Sequence, residues 1–576
     1  MFPRFNLPKL FQREVIVYDV DIRKHGATRV LVTMLTDRRI SIHSMVSDAR
    51  FQSYNAWTFP LEEAPKFYEK LSLQYNKLKL QIDDVTKEYI QRYLKRESTS
   101  FFYATAEDSD DMPHTFGPIE TRPFQRAALK YLEFSDDNKI LALDMGLGKT
   151  AVSLMFTERR NLRTLFITKA SLIHNLDREI KKLTGKSPIR LSGKRPDNST
   201  MQAFLTQSNQ YFILNYEVIG TIDNDGEPNM NRPWVDAINM MSQLGFIQCI
   251  VADEAHNCRN IRAKRTQALM HMNVKYKIPM TGTPIVNRVK ELYPILHWIA
   301  PEQFDSEQSF LNAHDKGDGT AKNAKELQKV LLPYMFRRSK KDVLKDLPPI
   351  NRILHNVELS LPHKHRYTEA LKFFFLQWDG TKKDINSTLA QLTRLRQVIA
   401  DAKSEASVEY VRDFLEESDE KILVFSYFVA PVTNIALHLE CDCIYGDVPY
   451  GDRMKMVDKF NSDPSTRVLV IQMQTGQEGL NLTGAKNILF NDVGFVSTDI
   501  EQAEARCYGR LNDVHGATSI QLNVENSVDA LLNGIIRHKM KLIESIIDGT
   551  NDYAKEQTFI FQDFVNKLEA FRPSSL

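Results

Sequence analysis

Two short stretches place residue types at spacings that could do chemistry. The first is KILALDMGLGKTAVSL, residues 139–154. A glycine-containing turn that opens a helix aims backbone N–H groups at an anion, and the helix dipole favours negative charge there. The general pattern for such a phosphate cradle is G-x-x-x-x-G-K-[ST]. Here Leu143 holds the place of the first glycine, while Gly148, Lys149 and Thr150 complete the pattern. An apolar run precedes the turn and a helical pattern follows it, so the stretch Met145–Thr150 is expected to bind a nucleoside triphosphate. Gly146 and Gly148, on either side of Leu147, let the backbone approach closely. Lys149 would reach the β- and γ-phosphates, and Thr150 would offer a hydroxyl to Mg²⁺. The second stretch is CIVADEAH, residues 249–256. Asp253 would hold the metal and Glu254 would orient an attacking water. Two adjacent carboxylates just past an apolar strand lie where open α/β sheets bind ligands. They point to hydrolysis of ATP rather than to its mere retention.

The elements that must position these residues follow from periodicity. Residues 14–43 alternate as strands, and AWTFPLEEAPKFYEKL leads from an aromatic strand into a basic helical stretch over 66–96. ATAEDSDDMP, 104–113, is acidic, polar and closed by a proline, which reads as a linker. From 120 to 300 short apolar runs alternate with helical segments, the rhythm of a parallel sheet covered by helices. Residues 301–412 are expected to be helical. Strands return with KILVFSYF, DCIYGDV, RVLVIQMQ, KNILFND and SIQLNV. The expected organisation is a small α+β domain over 1–103, a linker over 104–117, an α/β lobe over 118–300, a helical block over 301–412, a second α/β lobe over 413–548 and a tail over 549–576.

Bulk composition narrows the class. The chain has 576 residues, 42% hydrophobic and 26% charged, with a formal net charge of +2. It is no polycation, so nucleic acid would have to be held by local basic surfaces. Five cysteines without a C-x-x-C pair indicate neither a disulfide framework nor a zinc finger. No run approaches the ~20 apolar residues of a membrane span, and the start has no signal-peptide core. An intracellular protein is expected.

Asp-Glu-Ala-His after such a loop resembles the superfamily 2 helicase-like ATPases. TRPFQRAALKYL, DMGLGKT, SLIHNLDREI, MTGTPIVN, RRSKKDVLKDLPP, TGQEGLNLTGA and QAEARCYGR then follow in the order of the Swi/Snf family of double-stranded-DNA translocases. That family's loop also lacks the first glycine. The resemblance spans residues 118–548 and implies two RecA-like parallel-sheet lobes around a helical insertion. It implies that Gln125 reads adenine and that Lys169, Ser171 and Asn175 lie along a DNA backbone. Thr283 would couple the phosphate state to DNA contact. Thr475, Gly476 and Gly479 would form a loop that holds DNA and faces the ATP cleft. Arg506 and Arg510, one helical turn apart, would meet the γ-phosphate from across the cleft, with Arg510 as the main finger. Two departures stand out: NDVGFVSTD replaces Asp-x-x-Trp-Asn-Pro, though Asp492 remains, and the second arginine of the last motif arrives one residue late.

FQSYNAWTFPLEEAPKFYEKL resembles the HARP-type domain of annealing helicases, a match carried by Trp57, Phe59, Pro60 and Leu61. Trp57 and Phe59 could equally be core residues. The implied protein is a monomeric ATP-driven motor on duplex or branched DNA that performs fork regression, branch migration or strand annealing. Its N-terminal module could grip a single strand. Two alternatives remain at this point: a motor that displaces bound protein such as RNA polymerase, and a slowly hydrolysing, nucleotide-gated DNA scaffold.

Overall fold

The computed structural model describes residues 80–534 apart from 222–231, 283, 285–287, 318–320, 344–349, 378–384, 477–479, 481, 495–496 and 509–515. Of the first 79 it describes 20–25, 29–34, 45–46, 49–53, 56–60 and 64–74. The chain divides into two compact units, residues 1–102 and 103–576.

In the first unit, β1 (Val20–His25) and β2 (Arg29–Met34) form an antiparallel hairpin. Strict alternation buries Val30, Val32 and Met34 and leaves Leu31 and Thr33 half-exposed, as a one-sided sheet requires. β3 (Arg50–Ser53), β4 (Ala56–Pro60) and β5 (Leu80–Ile82) complete the order β3-β4-β2-β1-β5. The 66–96 stretch is therefore not continuous helix. Helices Ala64–Gln74 and Asp84–Thr105 flank β5, whose short LQI run pairs parallel with β1. The aromatic strand is β4: Phe59 is fully buried against Phe67, ring centroids 4.9 Å apart, and Trp57 is half-buried opposite Val32. Phe59 thus has a core role. Leu61 lies outside the described residues.

The second unit opens with a two-residue hairpin, β6 (Thr115–Phe116) and β7 (Ile119–Glu120). Residues 104–113, read as a linker, fold onto helix Pro123–Glu133. Asp108 pairs with Arg126, Asp111 pairs with Lys130, and Arg338 donates to the carbonyls of Ala104 and Ala106 at 2.8 and 2.6 Å.

Lobe one contains β8 (Ile140–Leu143), β9 (Thr164–Thr168), β10 (Ile189–Arg190), β11 (Tyr211–Asn215), β12 (Cys249–Ala252) and β13 (Tyr276–Pro279). β10-β11-β9-β12-β13 run parallel, and a bridge between Leu141 and Met280 joins β13 to β8. Their near-continuous apolar runs are those of strands covered on both faces. The 301–412 block is mostly helical but contributes one strand to each lobe. β14 (Met335–Arg338) pairs parallel with β8, and β15 (Asn351–Asn356) pairs parallel with β20 (Thr518–Asn523). Periodicity misses both because MFRR and NRILHN are short and polar. Lobe two has the order β15-β20-β19-β16-β18-β17, where β16 is Ile422–Ser426, β17 Cys443–Ile444, β18 Val468–Gln472 and β19 Asn487–Phe490. All its pairings are parallel. Among the described residues no helix is long and apolar enough to cross a membrane.

Candidate functional site

The site grows from the C-terminal ends of β8, β9 and β12. β8 ends at Leu143, and the turn to helix Lys149–Arg159 passes through two glycines at positive φ, Gly146 (85°) and Gly148 (81°). Gly148 is required twice over. Its backbone is left-handed, where a side chain is strained, and an added Cβ would sit 2.4 Å from the Gln125 side-chain nitrogen. Gln125, only 1% exposed, braces the loop from behind. Its Nε2 donates to the Leu147 carbonyl at 3.0 Å and its Oε1 accepts from the Arg122 N–H at 3.0 Å. The side chain expected to read adenine also supports the backbone of the turn. Lys149, 9% exposed, donates from Nζ to the Leu143 carbonyl at 3.0 Å. Met145 covers the loop from the front: a Cβ on Gly282 would meet its side chain at 3.1 Å and the Lys149 Nζ at 3.5 Å.

The carboxylates are held by the strands next to them. Asp253 follows β12. Thr168, the last residue of β9, donates its hydroxyl to Asp253 Oδ2 at 3.0 Å, and the Tyr216 hydroxyl donates to the Asp253 carbonyl at 2.7 Å. Glu254 sits at φ 47°, ψ 52°, a left-handed conformation costly for a non-glycine residue and typical of functional turns. Asn257 fixes that turn, donating from Nδ2 to the Glu254 carbonyl at 2.7 Å. His256 lies 3.3 Å from the Glu254 carboxylate and 3.1 Å from the Thr281 hydroxyl, tying the carboxylate turn to the end of β13.

Electrostatics separate the two acids. Burial, then the charge of Glu254, pushes Asp253 up to about 6. Burial would also raise Glu254, but the charge of Lys149, the His256 hydrogen bond and the charge of Arg506 outweigh it and hold Glu254 well below the usual carboxylate range. Glu254 thus keeps its charge beside an Asp253 that takes up a proton more readily. A third carboxylate, Glu179 on helix Ile173–Thr184, accepts a hydrogen bond from Thr150. Burial, then the charge of Asp253, raises it to about 7.

The predicted loop residues Gln125, Met145, Gly146, Leu147, Gly148, Lys149 and Thr150 therefore converge with Asp253 and Glu254. Arg506, in lobe two, is near enough for its charge to act on Glu254. It does so from a turn rather than a helix. Helix Ser497–Glu504 has ended, the Arg506 N–H donates to the Ala503 carbonyl at 3.1 Å, and the Leu482 N–H donates to the Arg506 carbonyl at 3.3 Å. Arg510, Thr283 and Gly479 lie outside the described residues, so the expected pairing of Arg506 with Arg510 on one helix face stays an expectation. Thr475 is 3% exposed in a short helix, Met473–Gly476, and its hydroxyl bonds Gln472 at 3.2 Å; Gly476 ends that helix. Lys169 and Ser171 lie half-buried in the turn before helix Ile173–Thr184. Asn175, in that helix, accepts from the Tyr450 hydroxyl of lobe two at 3.0 Å.

Sequence reasoning missed Tyr216, Thr168, His256, Glu179 and the pair Arg337–Asp144, which meet at 2.6 Å. The available signal was position: a hydroxyl at or just after the last residue of a buried strand, in FITK and in LNYE.

The donor set suits Mg²⁺. Among the described residues no group of three or more His, Cys, Asp or Glu could hold a metal. One hydroxyl, one carboxylate and phosphate oxygens are the usual arrangement for an ion that keeps several waters.

Comparison with known proteins agrees with this architecture. The model of the SNF2-related domain matches residues 60–404, and that of the helicase conserved C-terminal domain matches 403–511. The DNA annealing helicase and endonuclease ZRANB3 of Homo sapiens is 25% identical over 519 residues, covering 84% of this chain and 46% of that protein. The Bos taurus protein of the same name is 26% identical over 484 residues, 78% of this chain and 43% of its own. Chromodomain-helicase-DNA-binding protein 7 of Homo sapiens is 27% identical over 472 residues, 71% of this chain and 15% of its own. The chain thus spans less than half the length of these relatives. Among solved structures, the Sulfolobus solfataricus SWI2/SNF2 ATPase core in complex with dsDNA matches 81% of this chain and 99% of its own at 23% identity, with a TM-score of 0.35. That overlap is too loose to carry an argument about geometry. With the SNF2-related domain matched over more than half of its residues and a helicase C-terminal domain directly after it, the chain belongs to the SNF2-related family of helicase-type ATPases.

Proposed function

We propose that this chain hydrolyses ATP when engaged on duplex DNA and uses the cycle to remodel branched DNA by fork regression, branch migration or strand annealing. The observation that carries the first half is the convergence at the C-terminal ends of β8 and β12 of a glycine turn ending in Lys149–Thr150 and the carboxylate pair Asp253–Glu254 on its strained turn, with Arg506 of the opposite lobe near enough to act on Glu254. The second half draws on the relatives named as DNA annealing helicases and stays a proposal for a chain that covers under half of them.

Each residue has a distinct task. The turn 145–148 offers N–H groups to phosphate oxygens, and Lys149 adds the positive charge. Mg²⁺, when bound by Thr150 and Asp253, would neutralise charge on the phosphates. Glu254, kept ionised by Lys149 and its His256 hydrogen bond, is the acceptor that orients water and takes its proton. Arg506, with Arg510, stabilises charge that develops on the transferred group. Lys169, Ser171 and Asn175 precede or begin the helix that carries Glu179, so a duplex held there would lie one helix away from Thr150. We assign the domain boundaries of the sequence reading to the same scheme, with the 1–103 module as the substrate-selecting part.

The test compares ATP turnover on duplex, single-stranded, forked and four-way-junction DNA and on RNA, at matched salt. Strong stimulation by duplex and branched DNA, fading as salt rises through counterion release, is expected. Equal stimulation by RNA would overturn the proposal.

A further inference from the structure

We infer that Lys340 is a positioning residue that carries closure of the cleft from the loop of lobe one to the arginine segment of lobe two. The inference rests on the ATP-hydrolysis reading above. Lys340 opens the short helix Lys340–Val343 directly after β14. Its backbone is anchored in lobe one, where its N–H donates to Asp144 Oδ2 at 2.8 Å. The other Asp144 oxygen accepts from Arg337 Nη1 at 2.6 Å, and that nitrogen also lies 3.2 Å from the Gly282 carbonyl and 3.3 Å from the Ala142 carbonyl. Asp144 is the first residue after β8, so the anchor is the entry to the glycine turn itself.

The Lys340 side chain points the other way. Nζ donates to the backbone carbonyl of Tyr508 in lobe two at 2.9 Å and lies 5.6 Å from the centroid of its ring. Tyr508 stands midway between Arg506 and Arg510 in the sequence. The start of the same segment is fixed by lobe two: buried Glu504 takes a two-pronged bond from Arg352 of β15, at 3.0 and 2.6 Å. Residues 504–508 are therefore held at Glu504 by their own lobe and at Tyr508 by the opposite one. Arg506 lies between the two holds and acts on Glu254. The Lys340 side chain is half-buried, and burial lowers its ammonium to about 8 against the pull of Asp144. A hydrogen bond in that setting is stronger than one at the surface. Release of the Tyr508 carbonyl would leave the Arg506 segment held by lobe two alone, at Glu504 and through the Leu482 N–H on the Arg506 carbonyl, and misplacement by about 1 Å is enough to cost on the order of 10²-fold in rate.

The test uses the full chain with Lys340→Met, which keeps the apolar stem and removes the donor. Three quantities are measured: duplex-stimulated kcat, affinity for a fluorescent ATP analogue, and hydrogen exchange across residues 500–508 with and without ADP–beryllium fluoride. Expected are unchanged nucleotide affinity, a kcat lower by on the order of 10²-fold, and loss of the protection that the analogue confers on 500–508 in wild type. A purely structural role would alter the melting temperature but not this analogue-dependent protection. Lys340→Leu, which likewise has no donor, is read the same way should Lys340→Met fail to fold. Wild-type kcat together with wild-type protection in either variant would overturn the inference. A wild-type chain with no duplex-stimulated turnover would instead defeat the hydrolysis reading, and the exchange measurement would still decide whether Lys340 holds the segment.

Discussion

The two lobes end a central strand on the same pair of side chains and use it differently. In lobe one, Asp253 follows β12 and takes the hydroxyl of Thr168 from the end of the neighbouring β9. In lobe two, Asp492 follows β19 and takes the hydroxyl of Ser426 from the end of the neighbouring β16. Burial raises the proton affinity of both. The difference is what else surrounds them. Asp492 also accepts from the Tyr427 N–H at 3.2 Å and from Asn491 at 3.0 Å, with Lys403 and Arg396 as its nearest cations. Asp253 has like-charged Glu254 beside it, on a strained turn. A carboxylate with three donors, two cations and no acid next to it in the chain is a joint. Asp253 has the Thr168 hydroxyl, the Glu254 N–H and the charge of Lys149, but it shares its place with a second carboxylate, and that pair of negative groups is what favours a divalent cation there. The fold supplies the same edge twice, and the local donors decide which edge can do chemistry.

The largest expected effect tests the other half of the cleft. Arg506→Ala should bind ATP almost normally yet lose on the order of 10³-fold or more in duplex-stimulated kcat. Arg510→Ala is measured beside it to show which arginine dominates. A near-wild-type kcat in both would separate lobe two from the reaction.

The contrast itself is tested by paired substitutions. Asp253→Asn should abolish Mg²⁺-dependent turnover while the protein still folds. Asp492→Asn should turn an NH₂ donor towards Ser426, Tyr427 and Asn491 and cost about 1–3 kcal/mol of stability for unsatisfied buried groups. Its turnover per folded molecule should be largely kept. Denaturant melts and ATPase assays on the two variants would break the comparison if the outcomes were exchanged.

Tyr216→Phe removes only the hydroxyl on the Asp253 carbonyl. About 1 kcal/mol of stability should be lost, with a several-fold fall in kcat at saturating Mg²⁺ and ATP. Thr168→Ala, which frees the carboxylate instead, should raise the Mg²⁺ concentration needed for half-maximal rate. Identical profiles for the two variants would show that carbonyl and carboxylate are not held separately.

The smallest effect is on pH. Asp253 binds its proton more tightly in the folded protein, at about 6 against 3.8. The contribution of Asp253 to folding of the metal- and nucleotide-free protein is therefore present at low pH and is lost as pH rises from about 4 through 6. Asp253→Asn should lack that loss and melt higher than wild type near pH 7. Equal melting temperatures above pH 7 would mean that Asp253 carries no such burden.

Much of lobe one was legible because its strands are apolar runs that end directly in the residues of interest, as in KILALDM and CIVADEAH. Periodicity finds such strands, and polar residues at their ends stand out. It could not find β14 or β15, whose polar residues make the strand pattern too weak to see. The supporting polar contacts were hidden for a related reason. Thr168, Tyr216 and Lys340 look ordinary in sequence and matter only because the sheet order β11-β9-β12 and the return of β14 to β8 bring them to the site. Gln125 shows the converse in part, since a residue singled out from the sequence also braces the turn through Leu147 and Arg122, a support that the sequence does not reveal.

The central claim is that the acid pair after β12 splits ATP only when duplex DNA is engaged. Glu254→Gln tests it most directly, because it removes one proton acceptor and leaves Asp253, Thr150 and Lys149 in place. Single-turnover hydrolysis and nucleotide affinity are measured on wild type and variant, each with and without duplex. The account predicts ATP binding close to wild type, hydrolysis reduced by at least on the order of 10²-fold, and no rescue by duplex. Duplex-stimulated hydrolysis at the wild-type rate in Glu254→Gln would contradict it.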